Sequence, residues 1–294
     1  MVFKPDDFLQ PTTPEEVCEL LTKYGKHARI IAGGTAIYEL AKRGLADEVK
    51  ELISLSKMQL KYVRKEGDGL HVGTATTLSE LMTSEHIAKD PSMLVVAEAL
   101  REIRPMQVRT VATVGGEICT SLPLLDLPTA LLALQTVLVI QGPNGRRMVP
   151  LDEFLVDFFL NTLRQGEFMI EALIPPPPAR CGAAFMKFGR TAYDFNLVNV
   201  GVRLIFDSKG VCLEARIFLG GVGRVPLRAA SPENELKGSG IDEQVISRAV
   251  EALGRFKILP QIHGDADYKR DIAQVLMRDC IKRASERALV VSSR

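Results

Sequence analysis

The sequence lacks an excess of charge of either sign: 37 lysines and arginines stand against 36 aspartates and glutamates in 294 residues. A chain this balanced carries no field that draws nucleic acid or an acidic membrane, so DNA and RNA binding are not expected. No apolar run approaches the ~20 residues that span a bilayer, and Met1-Val2-Phe3-Lys4-Pro5-Asp6-Asp7 has no charged-then-apolar secretion signal. The expectation is a cytoplasmic protein with no transmembrane segment. Cysteine is sparse, odd in number and scattered, at 18, 119, 181, 212 and 280, with no CxxC pair. Metal or iron–sulfur ligation by this chain alone is therefore not expected, and the five read as reduced, mostly buried thiols. Histidine is scarcer still: His27, His71, His86 and His263 share no metal-ligand spacing. Neither GxGxxG nor GxxxxGKS/T occurs, and Gly220-Gly221-Val222-Gly223 runs into Arg224-Val225-Pro226 rather than a helix. A Rossmann or P-loop reading fails.

What is present is an ordinary globular composition, 46% hydrophobic and 25% charged, in a chain long enough for two or three substructures. Two diglycine turns stand out, Ala32-Gly33-Gly34-Thr35-Ala36 and Thr113-Val114-Gly115-Gly116-Glu117, about eighty residues apart. Each adjoins an apolar run and precedes a helix-forming segment. Glycine has no Cβ, so such turns let main chain approach a bulky anion and point N–H groups at it. Either alone reads as an ordinary tight turn; two together suggest a ligand with two phosphates, held from both sides.

Thr13 with Pro14, Glu15 and Glu16 forms a capping box ahead of Val17, Leu20 and Leu21, and Gly25 closes that helix. A strand over 28–32, the first turn and a helix over 36–43 follow, an order that puts helix N-terminal N–H groups beside the turn. Short strands are expected over 52–55, 60–64 and 70–73, and helices over 77–82 and 92–103. Asp126 can cap a helix running to about Gln135. Strands 137–141 and 146–150 flank the hairpin signal Gly142-Pro143-Asn144-Gly145. Pro175 to Pro178 interrupt any regular element and mark the main boundary. Beyond it lie strands over 183–188, 197–206 and 211–219. In the last, Val211, Leu213, Ala215, Ile217 and Leu219 alternate with Cys212, Glu214 and Arg216, as one buried face requires. Helices over 242–256 and 268–289 follow, the second with an apolar stripe of Ile272, Val275, Leu276 and Ile281. An antiparallel sheet with helices on one side is the simplest packing.

Three segments carry a resemblance: Ile30 to Thr35; Gln107 to Gly116, continuing through Asp126 to Leu134; and Ala266-Asp267-Tyr268-Lys269-Arg270-Asp271. In content, order and spacing the chain resembles the FAD-binding medium subunit of the molybdenum hydroxylases, the family of xanthine dehydrogenase and aerobic carbon monoxide dehydrogenase. The resemblance implies an α+β fold. A two-lobed, PCMH-type FAD-binding domain would occupy 1–176, with lobes of about 1–56 and 57–176, and an antiparallel sheet with helices 179–290. It implies that Ala32, Gly33, Gly34, Thr35 and Ala36 form one wall of the diphosphate site, and Thr113, Val114, Gly115, Gly116 and Glu117 the other. Ile103, Asp126, Leu163 and Lys187 match positions near the cofactor. Asp126 would meet adenosine or ribityl hydroxyls, Lys187 would offset charge at the flavin, and Phe195 would lie over the ring, with Tyr193 as its neighbour.

The resemblance further implies an electron-transfer oxidoreductase subunit with no catalytic side chain of its own. Noncovalent FAD would exchange electrons with 2Fe–2S clusters on an iron–sulfur small subunit and with an acceptor such as NAD or a quinone. Molybdopterin would sit on a large subunit of the same hetero-oligomer. No histidine adjoins the glycine turns to tether a flavin, and the cysteine-bearing insertion of some relatives is absent after the second turn. Glu117 departs from the family's asparagine, and Leu122, Leu124 and Leu125 replace small or polar residues. A self-contained noncovalent flavin oxidase and a flavin-free accessory protein are the other readings.

Overall fold

The computed structural model describes residues 3–261 and 264–291, so His263 and the first two residues lie outside the described residues. The chain forms two compact units, Met1–Leu81 with Pro105–Ser121 and Thr136–Ile174, and Met82–Arg104 with Leu122–Gln135 and Pro175–Arg294. One cut falls at the proline run. The second unit also takes two segments from the N-terminal half of the chain.

In the first unit, three short parallel strands lie in the order Asp7–Leu9, Glu51–Ser54, Ala28–Ile31. Parallel pairing needs crossovers, supplied by helices Pro14–Tyr24 and Thr35–Lys42. The first is held by the expected box: Thr13 Oγ1 accepts from the Glu16 amide at 3.2 Å, and Glu16 Oε2 from the Thr13 amide at 3.4 Å. Alternation along the central strand feeds two cores, Ile53 joining Val17, Ala28 and Phe168 while Leu52 joins Ala46 and Val49. The second sheet is antiparallel, in the order Val63–Glu66, Gly69–Gly73, Phe168–Ile174, Val137–Gly142, Gly145–Pro150. The hairpin register, Gly142 opposite Gly145, is the one its turn residues signal. The strand expected over 60–64 instead spans Val63–Glu66. Leu60 is bonded through its carbonyl to the Ala75 amide, and the Tyr62 amide to Thr76 Oγ1, outside the ladder.

In the second unit an antiparallel sheet runs Cys181–Phe188, Val198–Phe206, Cys212–Gly220, Leu227–Arg228. Contrary to the one-sided packing expected, every residue of Val198–Phe206 is buried. Val200, Val202 and Leu204 join a core with Ala273, Met277 and Ala284. Gly201, on the other face, backs onto the Thr129 carbonyl of helix Leu127–Ala133, where a Cβ would lie 3.0 Å from that oxygen. The alternation expected for the third strand fails at its start: Cys212 is buried and Leu213 exposed. The register skips Leu213, with Ile205 opposite Glu214 and Phe206 opposite Cys212, and such a bulge turns the following side chains over. The stripe on the last helix, Ala266–Val291, is also rotated from the expected one. Val275 is exposed, and the buried face is Ala273, Met277, Cys280, Ile281, Ala284 and Ala288. Small residues let this helix approach the sheet so closely that a Cβ on Gly182 would lie 2.0 Å from the Ala284 carbonyl oxygen.

Candidate functional site

The first diglycine turn joins strand Ala28–Ile31 to helix Thr35–Lys42. Its two glycines are required for different reasons. A Cβ on Gly33 would lie 1.8 Å from the Val111 carbonyl oxygen, so Gly33 is where this turn touches the segment leading into the second turn. Gly34 caps the helix at φ 75°, a left-handed conformation that side chains resist, yet a Cβ there would make only an ordinary contact, 3.5 Å from Ile31 Cδ1. The amide N–H groups of Gly33, Gly34, Thr35, Ala36 and Ile37 have no hydrogen-bond partner among the described residues, and all five residues are partly accessible. Free N–H groups at the positive end of a helix dipole suit a phosphate oxygen.

The second turn opens helix Val114–Cys119, and here the structure departs from the expectation of free donors. The Val114 amide bonds the Thr76 carbonyl at 3.0 Å, Gly115 the Thr74 carbonyl at 2.9 Å, and Glu117 the Thr113 carbonyl at 3.0 Å. The Gly116 amide is taken by the capping Thr113 Oγ1 at 3.1 Å. Gly115 is a packing glycine, its absent Cβ 1.8 Å from Thr74 Oγ1, whereas Gly116 is exposed. This turn presents bare backbone rather than donors. Glu117 is partly accessible, with one carboxylate oxygen, Oε2, buried. Cys119 follows directly, but burial pushes its thiol up to about 12, which leaves it unreactive.

Leu163 is tied to the same helix through a residue the sequence did not single out. Asn161 accepts from the Leu163 amide at 3.1 Å and donates to the Cys119 carbonyl at 2.9 Å. Thr74 and Thr76, which receive the second turn's amides, were equally missed; the run Gly73-Thr74-Ala75-Thr76-Thr77 is their only mark.

Four further expected residues gather in the second unit. Lys187 Nζ meets Asp126 Oδ2 at 2.8 Å and donates to the Glu102 carbonyl at 3.3 Å, beside Ile103. Asp126 Oδ1 accepts from Asn199 at 2.8 Å and from Asn196, next to Phe195, at 3.3 Å. Asp126 makes no side-chain cap bond to the helix it precedes, so its expected capping role is replaced by this pair. Burial pushes the Asp126 carboxyl above the ordinary aspartate value, and the Lys187 ammonium draws it back. Lys187 is thus paired within its own unit. Phe195 and Tyr193 are exposed, at 49% and 73%, so neither is a core aromatic. Leu122, Leu124 and Leu125 are each partly buried.

The donor set fits a dinucleotide: a row of free N–H groups for a diphosphate, a bare glycine surface beside it, and exposed aromatics elsewhere on the chain. Comparison with known proteins agrees. Residues 2–177 match the FAD binding domain in molybdopterin dehydrogenase, and residues 183–284 the CO dehydrogenase flavoprotein C-terminal domain. The carbon monoxide dehydrogenase medium chain of Afipia carboxidovorans is 30% identical over 285 residues, 96% of this chain and 97% of that one. The 6-hydroxypseudooxynicotine dehydrogenase complex subunit alpha of Paenarthrobacter nicotinovorans is 28% identical, covering 96% of this chain and 95% of its own. Among solved structures, CO dehydrogenase from Oligotropha carboxidovorans superposes with a TM-score of 0.91 at 28% identity, over 98% of this chain and 100% of that chain.

Proposed function

The chain belongs to the family of FAD-binding subunits of molybdenum hydroxylases, and from that premise we propose how it works within its hetero-oligomer. It receives electrons from 2Fe–2S clusters of an iron–sulfur small subunit and delivers them to an acceptor such as NAD or a quinone. Substrate chemistry belongs to a molybdopterin large subunit. Bound FAD supplies the redox chemistry, accepting and releasing electrons at its ring. The side chains of this subunit hold and position it.

The observation that carries this reading is the row of five unpartnered amides from Gly33 to Ile37. These hold the diphosphate, with Ala32 beside them. Thr113 to Glu117 contribute shape, Gly116 allowing close approach and Thr113 fixing the helix start. Leu163 is held near that helix by Asn161. Asp126 acts through Lys187, keeping the ammonium fixed and electrically compensated next to Ile103, and Phe195 is free to cover an aromatic ring. Binding is noncovalent, as no histidine adjoins either turn.

Purification of the chain co-expressed with its partners tests the reading. A yellow complex containing a cluster-bearing chain, from which acid precipitation releases free flavin, is the expected result. A colourless chain purifying alone supports an accessory protein, a yellow chain oxidising a substrate alone supports a self-contained oxidase, and flavin retained in the pellet contradicts noncovalent binding.

A further inference from the structure

The hairpin Val63–Glu66 and Gly69–Gly73 turns through Gly67 and Asp68, and it places three potential ligand atoms within 4.8 Å of one another: a carboxylate oxygen each of Glu66 and Asp68, and a ring nitrogen of His71. We propose that these three residues form a binding site for a divalent transition metal of the zinc type. Nothing in the electron-transfer reading uses them.

The imidazole is held in a fixed orientation. His71 Nδ1 lies 2.8 Å from Glu171 Oε1, and the other Glu171 oxygen accepts from the Tyr62 hydroxyl at 2.7 Å. Glu171 sits diagonally across from His71 on the neighbouring strand, where His71 is opposite Leu173. His71 and Glu171 are both largely buried, each side chain 12% exposed. With Nδ1 held by this anchored carboxylate, Nε2 faces outward and donates to Asp68 in the metal-free protein; a metal would take the place of that proton on an imidazole already oriented as metal-ligating histidines are. Nε2 is directed at both remaining carboxylates, 2.9 Å from Asp68 Oδ1 and 3.9 Å from Glu66 Oε2. Ligands bound at about 2.0–2.1 Å in a tetrahedron stand about 3.3 Å apart, and the two distances bracket that spacing. One nitrogen and two carboxylate oxygens suit zinc or a neighbouring borderline metal, and leave a fourth position for water. The competing cation is Arg64, whose Nε lies 3.7 Å from Glu66 Oε1. Its side chain is 58% exposed and rests on the Tyr62 ring, 4.3 Å from its centroid, so it can stay there while Glu66 turns to the metal. The histidine spacing of the sequence gave no sign of this site, because two of its ligands are carboxylates brought together by a two-residue turn.

Calorimetric titration of the metal-free, untagged full chain with zinc chloride tests the proposal. A single saturable site is expected, lost in His71→Gln and in Asp68→Ala, and weakened about tenfold or more in Glu171→Gln, which only releases the imidazole. Zinc should also raise the melting temperature of the native chain and not that of His71→Gln, because a ligand bound only by the fold stabilises it. Should His71→Gln fail to fold, the exposed Asp68→Ala gives the same readout. Absence of saturable binding, or binding unchanged in these variants, overturns the proposal.

Discussion

The Asp126 carboxylate and the Lys187 ammonium form an ion pair 2.8 Å long whose side chains are only 4% and 6% exposed, joining the start of helix Leu127–Ala133 to strand Cys181–Phe188. Removing one partner strands a buried charge, which costs about 3–5 kcal/mol. Lys187→Met is therefore expected to destabilise the chain by about that amount in urea unfolding, and the double variant Asp126→Asn, Lys187→Met by less than Lys187→Met alone. Additive losses would show that the two do not act as a pair.

The two glycines of the second turn should separate packing from ligand approach. Gly115→Ala drives a Cβ to 1.8 Å from Thr74 Oγ1, while Gly116→Ala meets only Thr113 Oγ1, at 3.2 Å. The first should cost about 1–3 kcal/mol of stability. The second should leave the melting temperature unchanged or raised, since alanine favours a helix by about 1 kcal/mol over glycine, while lowering FAD affinity. Thermal unfolding beside equilibrium dialysis decides it, and unchanged FAD affinity in Gly116→Ala would remove that glycine from the site.

Glu98 should make the second unit acid-sensitive. Burial alone would raise its carboxyl, but hydrogen bonds from Arg287 and the Phe185 amide, with Arg283 nearby, outweigh this and hold it below the ordinary value. A group depressed in the fold contributes stability above its unfolded pKa, and loses it as pH falls through the folded one. The stability gap between the native chain and Glu98→Gln should be widest near neutrality and shrink as pH falls below about 4.3. A gap independent of pH in urea titrations would contradict this.

Lys269 should shift stability in the same direction with pH, but in the alkaline range. It is fully buried, donates to the Gly221 and Leu259 carbonyls, and burial lowers its pKa to about 8. Between that value and about 10.4 the unfolded chain binds more protons than the folded one, so stability from this residue rises with pH. Relative to Lys269→Met, the native chain should gain stability across that window; a constant difference would show that the lysine titrates normally.

What was legible in the sequence was local. The Thr13–Glu16 capping box and the Gly142–Gly145 hairpin are each written in four consecutive residues and formed as read. The family, and with it the two-turn glycine pattern, was legible because motif order persists along the whole chain. The bulge at Leu213 was not, because it depends on the partner strand's register, and Val275 was misplaced because alanines share the buried face of the last helix with Met277 and Ile281. In the site, the donors at Gly33 to Ile37 followed from strand, turn and helix order. The occupied donors at Val114 and Gly115 did not, since they bond to Thr76 and Thr74, some forty residues earlier. Nor did Asn161, or the pairing of Lys187 with Asp126, which spans 61 residues.

The measurement that bears most directly on the account is the affinity of Gly34→Val for FAD, taken by equilibrium dialysis together with its melting temperature. A branched side chain at φ 75° must move the turn and with it the amides of Gly33 to Ile37, while its Cβ has room beside Ile31. The account predicts an FAD dissociation constant raised at least about tenfold, equivalent to about 1.4 kcal/mol, in a chain that still unfolds cooperatively. A cooperatively folded Gly34→Val that binds FAD as tightly as the native chain would contradict it.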